Sequence, residues 1–200
     1  YFIIEHLGDY SEEKVYADYG ILPWRNMNNS YCQAAMGYAS SSNFADNNNL
    51  KNITKNAPNS LGGMFTDGWV GYGESHDEER NMFKAKAYGD GNLQSEDAHA
   101  DRMARVPAVI AFTTLIPGPK MLWQFQELGY DYSINYCSNG KIDEECRTYA
   151  KPIPWSLQWD KDPDRWAAYE KSAKVISLRT QNPEFFRSET VTARPTESGK

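Results

Sequence analysis

The 200-residue sequence lacks any stretch in which basic side chains cluster. It carries 21 Lys and Arg against 27 Asp and Glu, a formal net charge of −6, and this balance argues against a function based on nucleic-acid phosphates. It also lacks an apolar run approaching the roughly 18 residues that a membrane-spanning helix needs, and no segment resembles a signal peptide. We therefore expect no nucleic-acid partner and no membrane span.

Cysteine is scarce as well, with three residues in the chain. That number does not make a disulfide scaffold, and no metal-binding spacing joins the three. Cys137 and Cys146 bracket a polar loop, so they form either a bridge that stabilises the fold by about 2–3 kcal/mol through loop entropy or two ordinary thiols. Cys32 lies in an Ala-rich helical segment and is expected to be a small buried hydrophobe.

The chain alternates short apolar runs with helical patterns, four times over, without a sequence repeat. The predicted strands are Tyr1–Glu5, Ile21–Trp24, Trp69–Gly73 and Met121–Phe125. The predicted helices are Glu12–Tyr19 (capped by Ser11), Tyr31–Tyr38, Glu78–Tyr88, Ala98–Leu115 and a helix following the Asp162 N-cap, while Ser40–Ser60 is predicted to be a loop. This order is typical of an α/β fold with a parallel sheet, in which ligands bind at the carboxyl ends of the strands.

Two details of the helices carry further expectations. Pro107 is expected to kink or shorten the helix that contains it. In the last helix, the spacing predicts a buried face made of Trp166, Tyr169, Ala173 and Ile176.

Carboxylates follow two of the predicted strands, each with a histidine beside it. The first strand ends in Glu5-His6, and the third is followed by His76-Asp77. Two carboxyl groups facing one cleft suit cleavage of a glycosidic bond, which needs an acid to protonate the leaving oxygen and negative charge near a developing oxocarbenium ion. Such an acid must keep its proton near neutral pH, and the apolar run before Glu5 favours this if Glu5 is half-buried.

Spacing alone leaves structural alternatives open for the same residues. Glu5 would then be a helix cap or salt-bridge partner, and Asp77 the N-cap of the next helix. His6 and His76 would be structural histidines.

The same segments resemble the α-amylase family of glycoside hydrolases, family 13. Gly73-Glu74-Ser75-His76-Asp77 is similar to the signature after the seventh barrel strand, and Tyr1–His6 to the segment that carries the general acid after the fifth. Pro117–Gly129 resembles the eighth strand and its exit, and Pro152–Trp155 with the helix through Arg179 and Pro183 resembles the end of the barrel. The resemblance is closest to α-amylases of gut-type Bacteroidota.

The resemblance implies the fold and the roles of several residues. The fold would be strands 5–8 of a (β/α)₈ barrel, with residues 1–186 as its C-terminal half and 187–200 as a linker toward a C-terminal β domain. Glu5 would be the general acid/base and Asp77 the transition-state stabiliser. His76 and His6 would contact the substrate. Trp123 and Tyr72 are predicted, from their place near strand ends, to stack on sugar rings, with packing between strands and helices as the alternative. The nucleophilic Asp would lie upstream, in the missing N-terminal half of the barrel, as would a calcium-binding domain.

The expected activity is retaining hydrolysis of α-1,4 bonds in starch-like α-glucans by the full-length protein, outside the cytoplasm: extracellular, periplasmic or at the cell surface. No metal and no cofactor are expected in this segment, while calcium remains open for the full-length enzyme. Two alternatives remain: a glucanotransferase or a sucrose- or trehalose-converting enzyme on the same scaffold, and a non-catalytic barrel used for binding.

Overall fold

The computed structural model describes residues 1–6, 8–38 and 68–187. The predicted loop Ser40–Ser60 lies outside the described residues, as does the predicted linker after residue 187. Within the described residues, no helix combines the length and the apolar character required to cross a membrane.

Strands and helices alternate much as the sequence predicts. The order along the chain is β1 (Phe2–Ile4), α1 (Tyr10–Asp18), β2 (Ile21–Asn26), α2 (Asn28–Met36), β3 (Val70–Tyr72), α3 (Asn81–Tyr88), α4 (His99–Thr114), β4 (Lys120–Met121) and α5 (Pro163–Gln181). Short 3₁₀ helices lie in the connections before α4 and α5.

The four strands form one sheet in the order β1-β2-β3-β4, and every neighbouring pair is parallel. The sheet is curled like half of a barrel, and the predicted α/β class with a parallel sheet is confirmed. Trp24 lies opposite Val70, and Tyr72 lies opposite Met121. Because paired residues in a parallel sheet share a face and alternate residues change face, one face carries Ile3, Glu5, Trp24, Val70, Tyr72 and Met121.

That face borders an open cavity of about 560 Å³. Its lining residues are Ile3, Glu5, Trp24, Val70, Lys120, Met121 and Leu122. Within the described residues, β1 pairs only with β2 and β4 only with β3, and Phe2 and Ile3 of β1 are exposed.

The opposite face packs on the helices and forms the main core. Trp69, fully buried, precedes β3 and contacts a cluster of side chains from α2, α3, α4 and α5. The largest members of this cluster are Met27, Tyr31, Trp69, Met82, Met103 and Ile110. Cys32 on α2 is buried, as predicted.

Helix α4 continues through Pro107 to Thr114, so the expected shortening does not occur. Proline lacks the N–H that would bond one turn back, but packing of the buried face of α4 against α5 and the core holds the helix on both sides of it. The buried residues of this face include Met103, Val106, Val109 and Ile110.

The predicted buried face of α5 is correct in its second half and wrong in its first, since Ala173 is partly buried and Ile176 packs partly buried against the core. The buried residues are Arg165, Ala168 and Ser172, whereas Trp166 and Tyr169 are exposed and stack on each other at 4.9 Å between ring centroids. The apolar spacing favoured the aromatic pair, but the guanidinium of Arg165 takes the inner position because it donates to the carbonyls of Leu128 and Gly129.

Several predicted ends also shift. Helix α2 spans Asn28–Met36 rather than Tyr31–Tyr38. Helix α1 begins at Tyr10 with Asp9 as its N-cap, rather than with Ser11. Strand β4 ends at Met121, short of the predicted Phe125, whose backbone has a φ of 66° and cannot continue a strand. The N-cap at Asp162 is confirmed, since its carboxylate accepts from the N–H groups of Asp164 and Arg165.

Candidate functional site

Glu5, His76 and Asp77 lie together at the carboxyl edge of the sheet. Glu5 directly follows β1, and His76 and Asp77 follow β3 after a short turn. One ligating atom from each of the three side chains lies within 4.8 Å of the other two, and Nε2 of His76 is 3.8 Å from Oδ2 of Asp77. The chain thus brings together two carboxylates and an imidazole from strands that are not adjacent in the sheet.

All three side chains of this cluster are exposed. The condition that Glu5 be half-buried, on which a raised pKa was argued from the sequence, is therefore not met, because β1 lies at an edge of the sheet in the described residues. Asp77 is not the N-cap of α3 either, since that helix begins at Asn81 with Arg80 as its N-cap.

Aromatic rings surround the cluster. The ring centroid of His76 lies 5.9 Å from Trp24 and 6.1 Å from Trp123, and Trp24 meets Tyr72 edge-on at 5.4 Å. Tyr72 is buried, and this burial, together with the negative charges of Glu78 and the cluster, raises its pKa to about 12. The phenol therefore stays neutral below that pH and can serve as a hydrogen-bond donor.

His6 points elsewhere, although it follows Glu5 in the chain. Its Nδ1 accepts the N–H of Gly8 at 3.1 Å, and its ring packs edge-on against Tyr16 of α1 at 5.1 Å. In this structure its contacts are with α1 and the turn before it, so it is separated from the contacts that join Glu5 to His76 and Asp77.

The turn that carries His76 and Asp77 is held from behind by a buried arginine. Nη1 of Arg80 donates to the carbonyls of Ser75 and Glu78, at 2.5 and 2.8 Å, and so bridges the two ends of the turn. Burial lowers the pKa of Arg80, yet the side chain keeps both carbonyl contacts.

Beneath this turn, Glu74 is almost fully buried and accepts the N–H of Asn81 at the start of α3 at 2.8 Å. Burial raises the pKa of Glu74 to about 7, against the opposing effects of Arg80 and the N–H of Asn81. Among the described residues, its second carboxylate oxygen has no hydrogen-bond partner.

The loop after β4 reaches the candidate site and contributes contacts that sequence reasoning missed. Nη2 of Arg147 donates to the carboxylate of Asp77 at 3.1 Å and to its carbonyl at 2.7 Å. One residue earlier, Cys146 forms a disulfide with Cys137, which settles the alternative left open by the sequence. The one available signal for Arg147 was its place beside a cysteine of this pair.

A second contact ties the same loop to the exit of β3. The carboxylate of Glu79 accepts the hydroxyl of Ser133 and the N–H of Ile134, the latter at 3.1 Å. The charged residues Glu79 and Arg80 therefore have structural roles, because Glu79 holds the loop and Arg80 holds the turn.

In the part of the chain that the structure describes, two groups of side chains have the spacing to hold a cation. One is the Glu5, His76 and Asp77 cluster, and the other is His99 with Asp162 and Asp164. In the second group Asp162 already caps α5 and bonds His99 at 2.8 Å, which gives it a structural role. Although burial alone would raise it, the pKa of Asp162 is lowered by the N–H groups of Arg165 and Asp164 and by His99.

Comparison with models of known protein families finds no match to the chain, and comparison with curated proteins finds no significant match.

Proposed function

We propose that the chain forms the C-terminal half of an α-amylase-type (β/α)₈ barrel and that the full-length protein hydrolyses α-1,4-glucosidic bonds of starch-like glucans with retention. The observation that carries this proposal is the meeting of Glu5, His76 and Asp77 at the carboxyl ends of β1 and β3. The place of the cluster agrees with the site of chemistry in barrels of this kind. The ring of Trp24 and the ring of Trp123, each about 6 Å from His76, offer apolar faces on which a sugar can stack.

In this proposal Glu5 protonates the glycosidic oxygen as the bond to the anomeric carbon breaks, while a carboxylate from the other half of the barrel attacks that carbon. Glu5 then removes a proton from the water that displaces the enzyme carboxylate, and this regenerates both groups. Asp77 and His76 hold the hydroxyls of the reacting sugar. Exposure of Glu5 fits the half-barrel, since the remaining strands would cover β1 and exclude water from the carboxyl group.

The open cavity and the bare edge of β1 support the same proposal. Ile3 and Phe2 expose apolar surface that a soluble monomer normally covers. Strands from the missing half would pair with β1 and β4 and close this surface.

The test is the substitution Glu5→Gln in the full-length protein, with hydrolysis of maltoheptaose as the assay. We expect turnover to fall by roughly 10²–10⁴-fold, the range that general acid–base catalysis contributes, with glucan binding retained. Glu12→Gln is the matched control, because Glu12 is an exposed carboxylate on α1 that contacts Tyr16. Near-normal turnover in the Glu5 variant would show that Glu5 is not the general acid/base.

The isolated 200-residue chain provides a second test. Without the proposed nucleophile it should hydrolyse no starch, so retaining hydrolysis by this polypeptide alone would contradict the proposal.

A further inference from the structure

A second cavity, of about 570 Å³, lies between α3, the first turns of α4 and α5, and the loop after β4. It shares no lining residue with the cavity that borders Glu5. Its volume is in the range of pockets that hold small organic molecules. The side chains that line it include Phe83, Lys86, His99, Arg102, Tyr132 and Trp159.

The charged side chains that line this cavity do not all pair with one another. Lys86, Arg102 and Arg165 bring positive charge to it, and Glu96 and Asp131 bring negative charge. Both carboxylates already face a cation, since Asp131 accepts from Nη2 of Arg165 at 3.0 Å and Glu96 lies 4.0 Å from Nζ of Lys86. Among the residues that the structure describes, Arg102 therefore has no carboxylate at ion-pair distance.

Arg102 is 2% exposed, so its charge is almost wholly removed from water. Its Nη1 donates to the carbonyls of Leu93 and Ser95, at 2.6 and 2.7 Å, whereas its Nε has no hydrogen-bond partner in residues 1–6, 8–38 and 68–187. Two neutral carbonyls do not balance a full charge, and a buried cation costs free energy unless an anion accompanies it. Arg165, the other buried arginine of the cavity, has such an anion in Asp131. The unbalanced charge of Arg102 therefore favours an anion in this cavity.

Aromatic rings form the apolar part of the same cavity. Tyr132 stacks on the buried ring of Trp159, with 6.1 Å between centroids and 17° between planes, and meets Tyr136 edge-on at 4.6 Å. Phe83 adds a ring from α3. Rings that hold one another in place offer flat apolar surfaces, which suit an organic molecule better than a hydrated inorganic ion.

The chemistry of a guanidinium narrows the class of anion. Its planar set of N–H donors matches the paired oxygens of a carboxylate or a phosphate group, and such charge-assisted hydrogen bonds are stronger than neutral ones. A neutral glucan brings no charge to Arg102, so it does not meet the unbalanced charge of this cavity.

We propose that this second cavity binds a small organic anion, whose carboxylate or phosphate group pairs with Arg102 and whose flat body lies among the rings of Phe83 and Tyr132. The site is separate from the cluster of Glu5, His76 and Asp77, because none of those residues lines the cavity. It therefore does not depend on the proposed glucan hydrolysis.

The test titrates benzoate, phenyl phosphate and the neutral benzamide into the full-length protein at constant ionic strength, with calorimetry as the readout and circular dichroism as the check of folding. At least one of the two anions should bind, and comparing them distinguishes a carboxylate ligand from a phosphate ligand. Benzamide should bind about tenfold or more weakly than the tighter anion, the scale of a charged hydrogen bond. Arg102→Gln should weaken binding of that anion by a similar factor of about ten or more. Arg105→Gln is the matched control, because Arg105 also lies on α4 and donates to two backbone carbonyls but does not line the cavity.

A second variant leaves Arg102 and its carbonyl contacts in place. Ala87 lines the cavity from α3 and is half-buried, so Ala87→Trp should fill part of the cavity and weaken binding of the same anion by about tenfold or more. Tyr88→Trp is its control, because Tyr88 is the next residue of α3, is exposed and does not line the cavity.

Several results would overturn the anion site. Failure of the folded wild-type protein to bind either anion does so, and equal affinity for benzamide does so because the charge would then play no part. Unchanged anion affinity in folded Arg102→Gln also overturns it. If Arg102→Gln does not fold, unchanged affinity in Ala87→Trp overturns it instead, because the anion would then bind elsewhere. None of these results changes the proposed role of Glu5, which the turnover of Glu5→Gln tests separately.

Discussion

Nη2 of Arg147 donates hydrogen bonds to two groups of Asp77, the carboxylate at 3.1 Å and the main-chain carbonyl at 2.7 Å. The two residues are 70 positions apart, so the loop after β4 and the turn after β3 meet at the candidate site. A contact with the carbonyl as well as the carboxylate fixes the place of Asp77 and the direction of its side chain. Arg147 is thus a positioning residue for the cluster.

We expect Arg147→Met to weaken glucan binding severalfold without a large loss of stability. The pair is about half exposed, and exposed ion pairs contribute about 0–1 kcal/mol to the free energy of unfolding. Loss of this pair should therefore leave the chain folded, so that a weaker affinity for glucan reflects the changed placement of Asp77. Arg147→Lys should restore part of the affinity, because it keeps a charged donor but not the planar guanidinium. Binding of maltoheptaose and thermal unfolding, measured on the same samples, check this.

Lys14→Met is the matched control for Arg147. It removes another exposed ion pair, between Lys14 and Asp18 on α1, which should cost similarly little stability and leave binding unchanged. If Arg147→Met binds glucan as well as this control does, the positioning role is wrong.

The Cys137–Cys146 disulfide should stabilise the folded chain by about 2–3 kcal/mol through loop entropy. Reductant should therefore lower the midpoint of thermal unfolding of the wild type, and it should not change that of a variant with serine at both positions. Alkylation of the unfolded, unreduced chain should label one cysteine, the buried Cys32, and should label three after reduction. Labelling of three cysteines before reduction would show that the bridge is absent.

The Asp162 cap of α5 supplies a stability prediction. Its carboxylate satisfies the N–H groups of Asp164 and Arg165, so Asp162→Ala should lower the free energy of unfolding by about 1 kcal/mol. Asp160→Ala, a change at an exposed position just before the helix, should have little effect. Urea unfolding of the two variants in parallel gives the comparison. Equal free energies of unfolding would show that the Asp162 cap does not stabilise the fold.

The elements that the sequence predicts well are those with local signals. Asp162-Pro163 marks the start of α5 because an N-cap and a first-turn proline are chemical features of the sequence itself. The inner position of Arg165 on α5 could not be found in this way. Arg165 occupies the core because the carbonyls it binds, those of Leu128 and Gly129, come from a loop more than thirty residues earlier.

The same distinction between local signals and distant contacts applies to the residues of the candidate site. Glu5, His76 and Asp77 could be grouped in advance, because carboxyl ends of parallel strands lie at one edge of a sheet. Their partner Arg147 could not be, since it follows a short 3₁₀ turn, Glu144–Cys146, in a long loop that the disulfide and Glu79 tie to the rest of the chain. Such contacts depend on the folded path of the chain and leave no periodic pattern.

Glu74 gives the chain an expected pH dependence. Burial raises its pKa from 4.5 to about 7, so between these values the folded state binds more protons than the unfolded state does. The free energy of unfolding should therefore fall as the pH rises from 4.5 to 7, by on the order of 3 kcal/mol at most, and should then level off with respect to this group. Glu74→Gln cannot ionise, so it should flatten the decline while the amide oxygen still accepts the N–H of Asn81.

Urea unfolding at closely spaced pH values from 4 to 8 measures this slope, with Glu96→Gln as the control, because Glu96 is exposed. The wild type and the control should share the decline, and the Glu74 variant should lack it. A decline of the same size in all three proteins would assign it to other groups. The result also bears on the candidate site, because Glu74 lies beneath the turn that carries His76 and Asp77. Arg80 holds that turn through the carbonyls of Ser75 and Glu78. Ionisation of Glu74 places a negative charge near Arg80.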